Sequence, residues 1–206
     1  LAFIILQNPL TSRDHYMHSA VLQELTLTMS ATTDGGRLRA SGQFMSGYKP
    51  IIESNSVGAD TGEADYNGGL FLCDTSTFGG SDAMVLRDFS LTISNPASRV
   101  GYQGTGGETD GYSRGGAFSI TGSMTMKSDS VQQINDDTFW KLNATAAIVL
   151  KPSSPAAAST IDISVPAANI SNISYDLADE GMFQTVDFTA TSGADAGGNL
   201  AVIKAT

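Results

Sequence analysis

Two histidines, His15 and His18, stand three residues apart. On a helix that spacing would turn two imidazoles toward one metal ion. The surrounding TSRDHYMHS (Thr11–Ser19) is polar connector sequence with no carboxylate-rich helix around it, so no metal site is expected. Asp136-Asp137 and Asp179-Glu180 are adjacent carboxylate pairs, the residue types a glycosidase divides between acid and nucleophile. Neighbours on a strand face opposite ways and both pairs sit in turn-like sequence, so they read as solvated turn charges. Gly104–Gly107 carries a GxGG pattern. It lacks a following GK[ST] and opens a strand rather than a helix, which removes the phosphate-loop reading. No GxSxG elbow occurs, and neither histidine has a triad-like context. The single Cys73 allows no intrachain disulfide and no cysteine-based zinc site, and reads as a small core residue. The chain is therefore expected not to be an enzyme and to carry no cofactor.

The informative residues are hydroxyls rather than acids or nucleophiles, and strands must position them. In Gly116–Asp129 (GAFSITGSMTMKSD), Phe118, Ile120, Gly122, Met124 and Met126 alternate with Ser119, Thr121, Ser123, Thr125 and Lys127. Strict period-two alternation is the mark of a half-buried strand with one packed and one wet face. Asp88–Ser94 (DFSLTIS) alternates in the same way, so the two strands read as one long hairpin. That hairpin occurs twice. Leu22–Ser30 (LQELTLTMS) matches Leu86–Ser94 (LRDFSLTIS), and Gly36–Met45 (GRLRASGQFM) matches Gly116–Thr125 (GAFSITGSMT), with Gly42 in register with Gly122. Self-similarity of this kind implies one supersecondary unit used twice, over 22–46 and 86–129.

Composition agrees. Of 206 residues, 41% are hydrophobic and only 16% charged, a balance that suits a mainly β protein with many turns. The formal net charge of -10 disfavours a nucleic-acid-gripping surface, and only Arg37 and Arg39 stand close together among the cations. No run reaches the length of a membrane span. The opening LAFIIL is too short and lacks the basic flank of a signal peptide. A chain starting at Leu reads as the C-terminal part of a longer polypeptide, its residues 1–206 forming one domain.

The remaining segments fall in order. Leu1–Gln7 is a pairing strand ended by Asn8-Pro9. Gly47–Gly69 is a long loop rich in glycine and acids; the EF-hand spacing for calcium is absent, and a solvated contact loop carrying Tyr66 is expected. The Gly-rich connection Asn95–Gly115 reads as a projecting tip whose Arg99, Tyr102, Tyr112 and Arg114 contact another subunit. Ser128–Asp137 is a short helix capped by Ser128 or Ser130, with Val131 and Ile134 on its packed face. Phe139–Leu150 alternates as a strand; Ile161, Ile163 and Val165 form another, closed by Pro166. Tyr175–Leu177 and Met182–Ala190 make a further hairpin, and Leu200–Ile203 a last strand.

Long hairpins with an open edge invite pairing with another chain. Closing them edge to edge across subunits into a ring-shaped barrel would satisfy those edges and line a hydrated pore with Ser and Thr. At this point the sequence resembles the tail tube (major tail) proteins of long-tailed, siphovirus-like bacteriophages. The likeness is carried by the paired strands ELTLTMS and DFSLTIS, each followed by a strand with a small-polar-Gly centre (RLRASGQFMSG, AFSITGSMTMKSD), by the short helix at Ser130–Asp136, and by the ending IDISVPAANI…DEGMFQTVDFTAT. It runs from about Phe3 to the end of the chain. The resemblance implies a β-sandwich or barrel fold whose two hairpins, Leu22–Ser46 and Leu86–Asp129, join an inner barrel of a homohexameric ring. Rings stack into a tube that houses the tape-measure protein and conducts double-stranded DNA, with tail terminator and distal tail proteins at its ends. Such a tube is assembled in the host cytoplasm and resides in the virion, with no membrane partner. Transferred to this chain, the lumen wall would hold Glu24, Thr26, Thr28, Arg39, Ser41, Gln43, Asp88, Ser90, Thr92, Ser119, Thr121, Ser123 and Thr125.

The rival reading is an extracellular β-sandwich that binds carbohydrate or acts as an adhesin module. It would be monomeric, with aromatics such as Tyr66, Tyr102 and Tyr112 clustered on loops. A secreted β-sheet hydrolase stands third.

Overall fold

Alternation of apolar and polar side chains drives most of the chain into strands in the computed structural model, which describes residues 2–6, 13–33, 36–47, 51–54, 76–80, 82–103, 108–109, 111–152, 161–178, 181–191 and 201–205. The first strands are β1 (Ala2–Leu6), β2 (Arg13–Ser30), β3 (Arg39–Ser46) and β4 (Ile51–Ser54). Next come β5 (Ser76–Phe78), β6 (Asp82–Met84), β7 (Leu86–Ser94), β8 (Ala97–Arg99), β9 (Tyr102–Gln103), β10 (Glu108–Thr109), β11 (Tyr112–Arg114) and β12 (Ser119–Lys127). Helix α1 (Ser130–Asp136) and a π-helical turn (Asp137–Lys141) lead into β13 (Ala146–Leu150), β14 (Ile161–Ala178), β15 (Gly181–Ala190) and β16 (Val202–Ala205). The described residues are thus mainly β with one short α-helix.

The chain divides into two compact units. The first comprises Leu1–Leu25, Ser41–Asn67 and Ser94–Phe118. Within it β2 pairs antiparallel with β1 (Leu6 opposite His15) and with β4 (Arg13 opposite Ser54). The segment expected as a polar connector, 11–19, is therefore the start of β2 from Arg13 onward, because two backbone ladders hold it without an apolar pattern. Likewise Ile51–Ser54, expected in a loop, is a strand. Two short ladders, β8 with β11 and β9 with β10, build the 95–115 connection. Asn95 ties that connection back, its Nδ2 donating to the Leu22 carbonyl at 3.0 Å.

The second unit comprises Thr26–Ala40, Gly68–Ile93 and Ser119–Thr206. Its sheet runs β2-β7-β12-β15-β14-β13-β5-β6, with β16 on β14, and among the described residues no pairing closes it into a barrel. The core lies on one face, built from Phe78, Phe89, Leu91, Met124, Met126, Ile148, Ile163, Val186 and Phe188. Pro166 does not close a strand as expected. The β13–β14 ladder shifts register between Ala146 and Ile148, opposite 165–168, and a bulge there leaves no amide bond for proline to forfeit. One strand consequently runs from Ile161 to Ala178.

The helix departs from expectation in three ways. Its cap is Asp129, whose Oδ1 accepts from the amides of Val131 at 3.0 Å and Gln132 at 2.9 Å. Helical structure continues through a π turn, where the Leu142 amide donates to the Asp137 carbonyl at 3.1 Å and Asn143 stops it at φ 55°. Residues Phe139–Lys141 are therefore not strand, and β13 starts only at Ala146. Finally the packed face is polar: Gln132, Asn135 and Asp136 are buried while Val131 and Ile134 are exposed. Gln132 Nε2 donates to the Ala83 carbonyl and Asn135 Nδ2 to the Phe78 carbonyl, both at 3.3 Å, so the helix is stitched to β5 and β6 by hydrogen bonds. Ile134→Gln is accordingly expected to shift stability by less than about 0.5 kcal/mol, whereas Asn135→Ala removes buried hydrogen bonds to the Phe78 carbonyl and to Gln132 Oε1 and should cost about 1–3 kcal/mol in chemical denaturation.

Candidate functional site

Alternation along β7 and β12 gives the second unit's sheet two unlike faces. Phe89, Leu91, Ile120, Met124 and Met126 are buried on one. On the other, Thr28, Arg39 and Thr121 are exposed and Thr26, Asp88, Ser90, Thr92, Ser119, Ser123 and Thr125 half-buried. None of these expected wall residues lies in the core. The first unit holds the remaining three, Glu24, Ser41 and Gln43, all exposed.

Hydroxyl contacts set the register of this face. Thr26 and Thr92 meet across β2 and β7 with their hydroxyls 3.2 Å apart, while the Ala31 amide donates to the Arg87 carbonyl at 2.8 Å. Across β12 and β15, Thr125 and Thr185 meet at 3.0 Å. Thr121 and Ser123 stand opposite Thr189 and Asp187, and Asn172 Nδ2 on β14 donates to Asp187 Oδ2 at 3.3 Å. The polar face therefore extends onto β15 and β14, beyond the repeated hairpins. The signal was present in GMFQTVDFTA, where Thr185, Asp187 and Thr189 alternate with Gln184, Val186 and Phe188.

Six of the expected residues, Thr28, Arg39, Asp88, Ser90, Ser123 and Thr125, line a groove of about 250 Å³ in the second unit. Ser30, Thr33 and Arg37 join them. Arg37 was legible beside Arg39, since the alternation of RLR places both on one side of Leu38. Asp88 is the groove's carboxylate. Its Oδ2 lies 3.6 Å from Arg87 Nε, and its Oδ1 is buried without a hydrogen-bond partner. Arg87 in turn stacks its guanidinium 4.9 Å from the centre of the Phe183 ring, which fixes the cation beside the carboxylate. Among the described residues the groove sets hydroxyl and guanidinium groups, with Met29 and Phe89, around one acid, Asp88.

Two of the expected subunit-contact residues, Arg99 and Tyr112, make hydrogen bonds inside the first unit. Arg99 Nη2 donates to the Ser46 carbonyl at 2.6 Å, and the Gly47 amide donates to the Tyr112 hydroxyl. Arg114 is exposed on β11, Tyr102 lies in β9, and Tyr66 falls outside the described residues. Cys73 and Gly104–Gly107 also fall outside them, and His15 and His18 lie within β2. Among the described residues no cluster of three or more His, Cys, Asp or Glu could hold a metal ion, and no helix is long and apolar enough to cross a membrane. No protein-family model matches the chain, and comparison with curated proteins finds no significant relative.

Proposed function

We propose that this chain is a structural subunit of a tail tube, the conduit of a long-tailed bacteriophage, and that it assembles into stacked homohexameric rings. The observation that carries the reading is the hydroxyl-rich face shared by β2, β7 and β12. Along β2, β7 and β12 Ser and Thr meet water on one side while the other side is packed. A wall of small neutral hydroxyls keeps a lumen hydrated without sticking to what passes, and the net charge of -10 repels the DNA backbone overall. In the virion the lumen would hold the tape-measure protein and then pass double-stranded DNA, with terminator and distal tail proteins closing the tube's ends.

Ring closure needs free edges, and these are unequal. Among the described residues β3 pairs only with β2, and Arg39–Phe44 are exposed on both faces of that strand. The far edge of β12 is occupied by β15 from Thr121 to Lys127. Closure across subunits would therefore run between the open edge of β3 and the part of β12 upstream of Thr121, not along the whole of β12. Negative-stain electron microscopy of the chain at rising concentration tests the reading. Hollow six-membered rings or tubes are expected. A chain that stays monomeric at every concentration overturns it and favours a monomeric β-sandwich binding module.

A further inference from the structure

Asp129 caps α1, so the hydroxyl of Ser128 has no capping task. It is buried all the same. Ser128 Oγ and Gln184 Oε1 are both shut away from solvent with no hydrogen-bond partner among the described residues. Such oxygens are rare in folded proteins, because each gives up its bonds to bulk water without replacement. Here the two belong to one place. The Ser128 amide donates to the Met182 carbonyl at 2.9 Å, and Gln184 stands opposite Met126. Side chains return to the same face every second residue, so Ser128 and Gln184 both follow buried Met126 onto the packed face, beneath α1. They take diagonal positions on neighbouring strands, about 7 Å apart at Cβ. Gln184 is not free to swing across that gap, because its Nε2 donates to Asp136 Oδ1 at 2.9 Å. The helix adds a third polar group. Gln132, one turn before Asp136 on the same helix face, is fully buried, and its Nε2 spends one of its two hydrogens on the Ala83 carbonyl at 3.3 Å.

We propose that Ser128, Gln184 and Gln132 form a binding site for one internal water molecule, which joins α1 to the end of β12 and to β15. The water accepts from the Ser128 hydroxyl and from the second Gln132 Nε2 hydrogen, and donates to Gln184 Oε1. Three polar partners are what a buried water typically holds. The chemistry selects water over other occupants. An apolar group would leave both oxygens unbonded. A cation would meet the Nε2 hydrogens of Gln132 and Gln184, and the nearby carboxylate, Asp136, already accepts from Tyr175 and Gln184. The bridge completes the seat of the helix, which direct bonds from Gln132 and Asn135 otherwise fasten only to β5 and β6, and bonds to Asp136 only to β14 and β15. The inference concerns the interior of the second unit alone, and it holds for a monomer and a ring alike.

The test is a crystal structure of the chain at a resolution that shows ordered solvent, with a second crystal soaked in rubidium chloride. A single density within hydrogen-bond reach of both Ser128 Oγ and Gln184 Oε1 is expected, without rubidium anomalous signal. A direct bond between Ser128 and Gln184, or a dry gap between them, overturns the proposal. An anomalous peak at the site makes the occupant a cation and overturns it as well. Oxygen-17 relaxation dispersion carries the test into solution. Gln184→Met keeps the length of the side chain but drops its oxygen, and should lower the dispersion amplitude by one long-lived water. Ser128→Ala removes a different partner with little change of volume, and should lower the amplitude or shorten the residence time. If neither variant changes the dispersion, no water is held there. Should Gln184→Met fail to fold, the parent crystal and Ser128→Ala decide the matter.

Discussion

Phe188→Ala is expected to lower the stability of the second unit by about 3–5 kcal/mol, the usual cost of removing a buried aromatic ring. Phe188 is 2% exposed on β15, directly opposite Gly122 of β12. A Cβ built on Gly122 would lie 2.3 Å from Phe188 Cζ and 2.8 and 2.9 Å from its Cε atoms. The ring therefore occupies the volume that any other residue at 122 would claim. Gly122→Ala alone should push the ring off its site and cost about 1–3 kcal/mol. Combined, the two changes should be less damaging than their sum, because the added methyl enters space that the ring has left. A coupling of about 0.5–3 kcal/mol in a double-mutant cycle by denaturant unfolding measures this, and strict additivity would refute it. Gly42, the counterpart of Gly122 in the first hairpin, behaves differently. It is exposed, and the atoms nearest to a Cβ there would be Phe44 Cε2 at 3.3 Å, the Glu24 carbonyl at 3.6 Å and Leu22 Cδ1 at 3.7 Å. Gly42→Ala should change stability by less than about 0.5 kcal/mol. The same glycine at the same point of the repeat fills a packing need in one copy and none in the other.

That contrast marks what sequence reasoning could reach. Strands with one packed and one wet face announce themselves, which is why β7, β12 and β15 were legible from Phe89, Leu91, Met124, Met126, Val186 and Phe188. The start of β2 was not, because Arg13–Tyr16 is held by backbone ladders to β1 and β4 and needs no apolar stripe. Hydrophobic periodicity also misread α1. Val131 and Ile134 have the right spacing for a packed face, yet Gln132, Asn135 and Asp136 are the buried residues because carbonyls of β5 and β6 and side chains of β14 and β15 receive them. A pattern of residue types carries no information about where such partners will stand. The groove falls between these cases. Alternation marked Thr28, Arg39, Asp88, Ser90, Ser123 and Thr125 as facing water, but only the fold gathers them, with Arg37 of the β2–β3 connection, around one groove.

Asp136 gives the helix a pH dependence of unusual sign. Its carboxylate is 1% exposed, accepting from the Tyr175 hydroxyl at 2.8 Å and from Gln184 Nε2 at 2.9 Å. Burial raises its pKa above the ordinary 3.8; the bonds from Tyr175 and Gln184 oppose that rise, and the neighbouring Asp137 adds to it. A carboxyl with a raised folded pKa holds its proton more tightly in the folded chain than in the unfolded one. Its contribution to stability is therefore fully present below 3.8 and is lost as pH rises through the raised value. The tyrosine follows the same sign at the alkaline end. Burial first, then the Asp136 hydrogen bond, pushes the Tyr175 hydroxyl up to about 12, so its contribution persists below 10 and fades toward that higher value. Asp136→Asn should remove the acid-side component, flattening denaturation midpoints measured across mildly acidic to neutral pH. Its neutral-pH stability should stay close to that of the parent, because an asparagine Oδ1 can still accept from Gln184 Nε2 while its Nδ2 donates to the Tyr175 hydroxyl oxygen. Asp136→Ala should instead cost about 1–3 kcal/mol at all these pH values, since it leaves the fully buried Gln184 amide with nothing to bond. If Asn and Ala prove equally destabilising, the helix is held by packing alone and the hydrogen-bonded account of its buried face is wrong.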